Sequence, residues 1–160
     1  PWPVPFDAEI VLSRRGRPTT VLASGDPFWY GAGASLAEKL HSDEWIAYPG
    51  PSTFSLAAAR LGWRLESVAC LGLHAAPFER LVPHLAKDAR IICLVRDAAA
   101  VGDLAKWLTE RGWGPSLLWT LAALGGPRES IDQHRVDLFA DDLSEKLVAV
   151  ALLARGAQGI

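Results

Sequence analysis

Hydrophobic positions along this chain alternate between short continuous runs and runs spaced three or four residues apart, the signatures of buried strands and of helices packed on them. Residues 19–24 form a β-branched and apolar run stopped by Gly25, Asp26 and Pro27, which predicts a buried strand ending in a sharp turn. Over residues 32–41, Leu36 and Leu40 stand four apart with Glu38 and Lys39 outward, so a helix is expected. Residues 44–48 predict a second strand, stopped by Pro49, Gly50 and Pro51. Ser52 is then placed to cap a helix with Phe54, Leu56, Ala57, Ala58 and Leu61 on its apolar face and Gly62 at its end.

The same alternation continues through the second half. Residues 68–73 predict a strand, residues 74–77 a break, and residues 78–85 a helix. The continuous apolar run over 90–95 reads as a buried strand. A helix over 101–111 follows, with Leu104, Trp107 and Leu108 on one face and Gly112 and Gly114 closing it. Strands are expected over 117–121, 129–133 and 147–153, with a solvated connection carrying Asp141, Asp142, Ser144, Glu145 and Lys146 before the last. Residues 1–18 read as irregular with a short helix around 7–13, and residues 155–160 as a linker or frayed end.

Such alternation predicts a mostly parallel α/β sheet, arranged as two lobes, 1–73 and 74–160. Ligands of open α/β sheets bind beyond the carboxyl ends of the strands. That singles out the loops 25–31, 49–53, 73–76, 96–97 and 124–127.

Composition narrows the classes. Half of the 160 residues are hydrophobic and 21% are charged, as in a folded domain with a core. Lysine and arginine number 16 against 18 acidic residues, a formal charge of −2, which excludes a strongly basic nucleic-acid binder as a reading of the whole chain. The longest apolar run, residues 147–154, falls far short of the roughly 20 residues that span a bilayer, so no membrane partner and a cytoplasmic location are expected. Cys70 and Cys93 lie in predicted strands and read as small buried hydrophobes of a reducing compartment. Neither they nor His41, His74, His84 and His134 show a metal-ligand spacing, and no G-x-S-x-G elbow supports a serine hydrolase.

Two loops could carry chemistry. In Ser24-Gly25-Asp26-Pro27-Phe28-Trp29-Tyr30-Gly31, Gly25 allows close approach of a ligand to the backbone, Pro27 sets the turn, and Asp26 places a carboxylate at the strand mouth. That suits a ligand with hydroxyls and positive charge, and equally a purely structural turn. No phosphate-loop lysine accompanies it. In Pro49-Gly50-Pro51-Ser52-Thr53, Ser52 serves as a helix cap or, with Thr53, offers hydroxyls and free N–H groups to a ligand. His74, with no triad partner in view, is more simply structural than catalytic.

The run 21–27 with Tyr30-Gly31, then Tyr48-Pro49-Gly50-Pro51-Ser52-Thr53 continuing to Arg60-Leu61-Gly62, then Leu73-His74, then Leu124-Gly125-Gly126-Pro127-Arg128-Glu129, in this order, resembles the tetrapyrrole (corrin/porphyrin) methyltransferases. The likeness is greatest to the branch that methylates carbon 5 of a precorrin. It implies the two-lobed α/β fold of class III methyltransferases, S-adenosylmethionine as cofactor, a polycarboxylate precorrin as substrate, and a homodimer. It further implies, as part of cobalamin biosynthesis, a partner domain that methylates carbon 15 and decarboxylates, fused or separate. Carried over by position, Gly25, Asp26, Pro27 and Tyr30, Ser52 and Thr53, Leu73 and His74, Val95 and Arg96, and Leu124 and Gly125 would meet the cofactor.

Arg60, Arg64 and Arg128 are candidates for pairing with substrate carboxylates. The family's opening strand and glycine-rich loop, a unit of roughly 30 residues or more, do not occur in the sequence, so the first lobe is expected to be incomplete. Ala75-Ala76 stands where relatives tend to have Gly-Arg, and Arg96-Asp97 replaces Thr-Asp. Methylation of another ring carbon, or a non-catalytic docking module, remain open alternatives to carbon-5 methylation.

Overall fold

A computed structural model describes residues 5–140 and 147–156. The expected charged connection at 141–146 and the last four residues lie outside the described residues. The chain gathers into two compact units, one ending at Ser52 and the other beginning at Thr53.

The first unit has two short helices, α1 (Glu9–Leu12) and α2 (Ala32–Ala37), joined by turns and extended backbone. Helix α1 falls inside the predicted segment, and α2 is a shorter version of the expected 32–41. The predicted strands at 19–24 and 44–48 do not form, because a strand requires a hydrogen-bonded neighbour and neither run has a ladder partner among the described residues. Leu22, Ile46 and Tyr48 are 81%, 74% and 84% exposed as a result. Arg15 and Glu44 form a two-bonded ion pair across this unit, and the His41 N–H donates to the same carboxylate at 2.7 Å.

The second unit is built on a five-stranded sheet of order β1-β2-β5-β3-β4. Its strands are β1 (Val68–Gly72), β2 (Arg90–Leu94), β3 (Leu117–Ala122), β4 (Ser130–Arg135) and β5 (Leu147–Leu153), all close to the predicted bounds. The expectation of a mostly parallel sheet is corrected here. Only β1 and β2 pair in parallel, since β5 returns through the middle and pairs antiparallel with both β2 and β3, and β4 pairs antiparallel with β3.

Strand alternation sends alternate side chains to opposite faces. Ile91, Cys93, Leu118, Val150 and Leu152 meet helix α4 (Ala98–Glu110) and Leu81 of the 3-10 segment Phe78–His84 on one face. Ile92, Leu121, Ala149 and Ala151 meet helix α3 (Thr53–Leu61) on the other. Ala149 and Ala151 of the sheet and Ala57 and Ala58 of α3 belong to the same buried cluster, so small side chains are found on both sides of this contact. Gly62, at φ +66°, ends α3 as predicted, and the Trp63 N–H reaches back to the Ala58 carbonyl at 2.9 Å. The segment 78–84, expected as an α-helix, is 3-10 and carries Pro83, which has no N–H to donate. Helix α4 starts three residues before its predicted first turn, because the Asp97 carboxylate caps it by accepting from the Ala100 N–H at 2.9 Å.

Candidate functional site

Strands β2 and β3 both run antiparallel to β5, and β1 runs parallel to β2, so the carboxyl ends of β1, β2 and β3 emerge at one edge of the sheet. The register places Gly72, Leu94, Ala149 and Leu121 in a row across that edge. The residues just beyond the strand ends are the sequence candidates Leu73 and His74, Val95 and Arg96, and Leu124 and Gly125. Leu73 and Val95 are buried and form an apolar floor, the Leu73 N–H bonding to the Leu94 carbonyl at 2.8 Å. His74, Arg96 and Gly125 are exposed, and Leu124 is half-buried.

Charges at this edge are largely engaged within the chain. Arg96 Nε donates to Asp97 Oδ2 at 2.7 Å, while Oδ1 of the same carboxylate caps α4. The guanidinium, and then the Ala100 N–H, hold Asp97 below the usual carboxylate range. Away from this edge, in the segment leading into the first residue of β1, the Arg64 guanidinium meets Glu66 at 2.9 Å on the open surface, an ion pair that is readily exchanged for another partner. Arg128 is exposed.

The loop after β3 is held by a contact that sequence spacing alone would not find. Glu129 Oε1 accepts from Arg60 Nε at 2.6 Å, and Oε2 accepts from Arg60 Nη2 at 3.1 Å and from the Gly125 N–H at 2.6 Å. Glu129 lies below the usual carboxylate range because of Arg60 first and the Gly125 N–H second. Ala123 and Gly125 have φ of +48° and +77°, so the turn uses the left-handed region at a non-glycine residue. A Cβ on Gly125 would stand 3.3 Å from Leu56 Cδ1, so α3 packs directly under the turn. Arg60, Leu56 and Thr53 all come from α3, Thr53 being its half-buried first residue.

In the first unit, the loops 25–31 and 49–52 meet. The Gly50 N–H donates to the Gly25 carbonyl at 3.0 Å, and a Cβ on Gly25, at φ +63°, would stand 3.2 Å from the Pro51 carbonyl oxygen. Asp26 Oδ1 accepts from the Phe28 N–H at 2.9 Å, so this carboxylate closes a turn on its own loop. Cβ atoms on Gly31 and Gly33 would approach the Pro27 carbonyl oxygen to 2.6 and 2.7 Å, which accounts for both glycines. Tyr30 sits at φ +54° and is exposed, and Ser52 is buried immediately before α3. The first-unit candidates Gly25, Asp26, Pro27, Tyr30 and Ser52 thus share one turn system.

Residues 7–137 match the family described as Tetrapyrrole (Corrin/Porphyrin) Methylases. A precorrin-6Y C(5,15)-methyltransferase [decarboxylating] from Sinorhizobium sp is 43% identical over 99% of this chain, which spans 39% of that protein's length. A cobalt-precorrin-7 C(5)-methyltransferase from Salmonella typhimurium is 28% identical over 89% of this chain and 69% of its own. The crystal structure of uroporphyrin-III C-methyl transferase from Thermus thermophilus complexed with S-adenyl homocysteine superposes with a TM-score of 0.70 at 18% identity, covering 91% of this chain and 70% of that one. That likeness shows the fold.

Proposed function

The chain belongs to the tetrapyrrole (corrin/porphyrin) methylases, and from that premise we propose that it performs S-adenosylmethionine-dependent methyl transfer to carbon 5 of a precorrin in cobalamin biosynthesis. The observation that carries the choice of carbon is the pair of relatives at 43% and 28% identity, whose names have carbon 5 in common.

The residues present suit the cofactor. Half-buried Leu124, with Leu73 and Val95 buried beyond the neighbouring strand ends, offers apolar surface for a flat aromatic base, and the exposed residues His74 and Gly125 stand at the same edge. By motif position alone, Gly25–Asp26–Pro27, Ser52 and Thr53 carry a carboxylate and two hydroxyls of the kinds that meet a ribose and an amino acid tail. S-adenosylmethionine supplies a methyl group on a sulfonium, and its departure leaves a neutral thioether. Alignment and exclusion of water therefore count for more than a strong acid or base. His74 and Arg96 border the site, and Arg64 and Arg128 are the surface cations assigned to substrate carboxylates. Homodimerisation, a cytoplasmic location, a division into lobes at 73/74, and a carbon-15 methylating and decarboxylating partner domain belong to the same proposal.

Calorimetry with S-adenosylhomocysteine on the natural full-length protein tests the cofactor, and mass-spectrometric localisation of the new methyl group tests the carbon. Saturable heat is expected. Asp26→Asn, which keeps an oxygen for the Phe28 N–H, should weaken binding about tenfold with little change in melting temperature. Methyl found on another ring carbon would replace the carbon-5 assignment. A folded protein that gives no heat would overturn the activity and leave a docking role.

A further inference from the structure

Arg60 has the motif position of a substrate contact, yet its guanidinium is turned onto a carboxylate of its own chain. Glu129, 69 residues later, receives both Arg60 bonds and also the N–H of Gly125, so one carboxylate ties α3 to the turn after β3. The geometry is that of a planar fork on a carboxylate, which fixes direction as well as distance. Leu56, one helical turn before Arg60, closes on the same turn from below. The turn so held contains Gly125, which adopts the left-handed region freely, and Ala123, a non-glycine residue in that region that persists there only when its surroundings over-determine it. It is also the turn that presents Leu124 and Gly125 beyond the end of β3.

We propose that Arg60 and Glu129 are a positioning pair that sets the backbone of Leu124–Gly125 for the cofactor, and that Arg60 does not bind substrate. This rests on the reading that the strand-end edge takes S-adenosylmethionine. Neither side chain need touch the cofactor. Glu129 acts through the Gly125 N–H, and Arg60 acts by holding Glu129.

Two readouts on the full-length protein test it, S-adenosylhomocysteine affinity by calorimetry and hydrogen exchange of the Gly125 amide by NMR. Arg60→Ala and Glu129→Ala should each weaken binding about tenfold and speed Gly125 exchange, and the double variant should lose no more than either single one, because the residues act as a unit. Glu129→Gln, which keeps an acceptor for the Gly125 N–H, should fall between wild type and Glu129→Ala. Wild-type affinity and wild-type Gly125 exchange in Arg60→Ala, with a raised KM for precorrin, would overturn the pair and return Arg60 to the substrate. Additive losses in the double variant would also overturn it. Failure of the wild-type protein to bind S-adenosylhomocysteine would instead remove the function proposed above, and the cofactor role of the pair with it.

Discussion

Two apolar runs, one in each unit, meet opposite fates. In the second unit, β2 has β1 hydrogen-bonded on one side and β5 on the other, and Ile91 and Ile92 are fully buried. In the first unit, residues 19–24 have similar β-branched and apolar character, form no ladder, and leave Leu22 81% exposed. Strand character is therefore a preference that pairing must complete, since an isolated extended run gains neither ladder bonds nor a covered face. Order in the first unit comes instead from polar devices, one local and two that join residues far apart in the sequence. These are the Asp26 turn, the Gly50 to Gly25 bond and the Arg15–Glu44 pair.

The largest expected effect lies in the packed unit. Leu108→Ala, at a fully buried site of α4, should lower stability by about 2–5 kcal/mol, read as a reduced urea midpoint of the second unit. A loss under about 0.5 kcal/mol would show that this core repacks as freely as a surface.

An intermediate effect is expected on acidification of the first unit. The Arg15 guanidinium and the His41 N–H hold Glu44 at about 2, below its ordinary value of 4.5. A carboxylate whose folded value is depressed stabilises the folded form above its ordinary value and loses that contribution as pH falls through the folded one. Glu44→Gln should therefore flatten the acid limb of first-unit unfolding between about pH 4.5 and pH 2, with little change at pH 7 in its slope against pH. Amide signals of residues 41–45 followed by NMR would check it, and an unaltered acid limb would remove this pair from the unit's stability.

The smallest effect is expected at Leu22. Leu22→Ser should change stability by no more than about 0.5 kcal/mol, because its side chain is already in water. A loss above about 1.5 kcal/mol in thermal unfolding would mean that this run is covered in the protein in solution, and the contrast between the two units would collapse.

Much of the second unit was legible from local pattern. The strands at 68–72, 90–94, 117–122 and 147–153 and the helix beginning at Thr53 fall near their predicted places, because period and punctuation are properties of a few adjacent residues. The motifs Gly25-Asp26-Pro27, Ser52-Thr53, Leu73-His74 and Leu124-Gly125 pointed to the family for the same reason, and the match over residues 7–137 agrees. The Asp97 cap was missed although its position, one residue before α4, is a local signal.

Other features depended on partners distant in the chain. No periodicity tells that β5 enters between β2 and β3, which turned an expected parallel sheet into a mixed one and aligned the ends of β1, β2 and β3 on a single edge. Nor does it tell that Glu129 takes Arg60 and the Gly125 N–H together, or that residues 19–24 and 44–48 have no ladder partner among the described residues. The sequence by itself determined which segments prefer helix or strand and which motifs they carry. Tertiary structure alone decided which strands pair and which charges are engaged, because hydrogen bonds and ion pairs join groups brought together only when the chain folds.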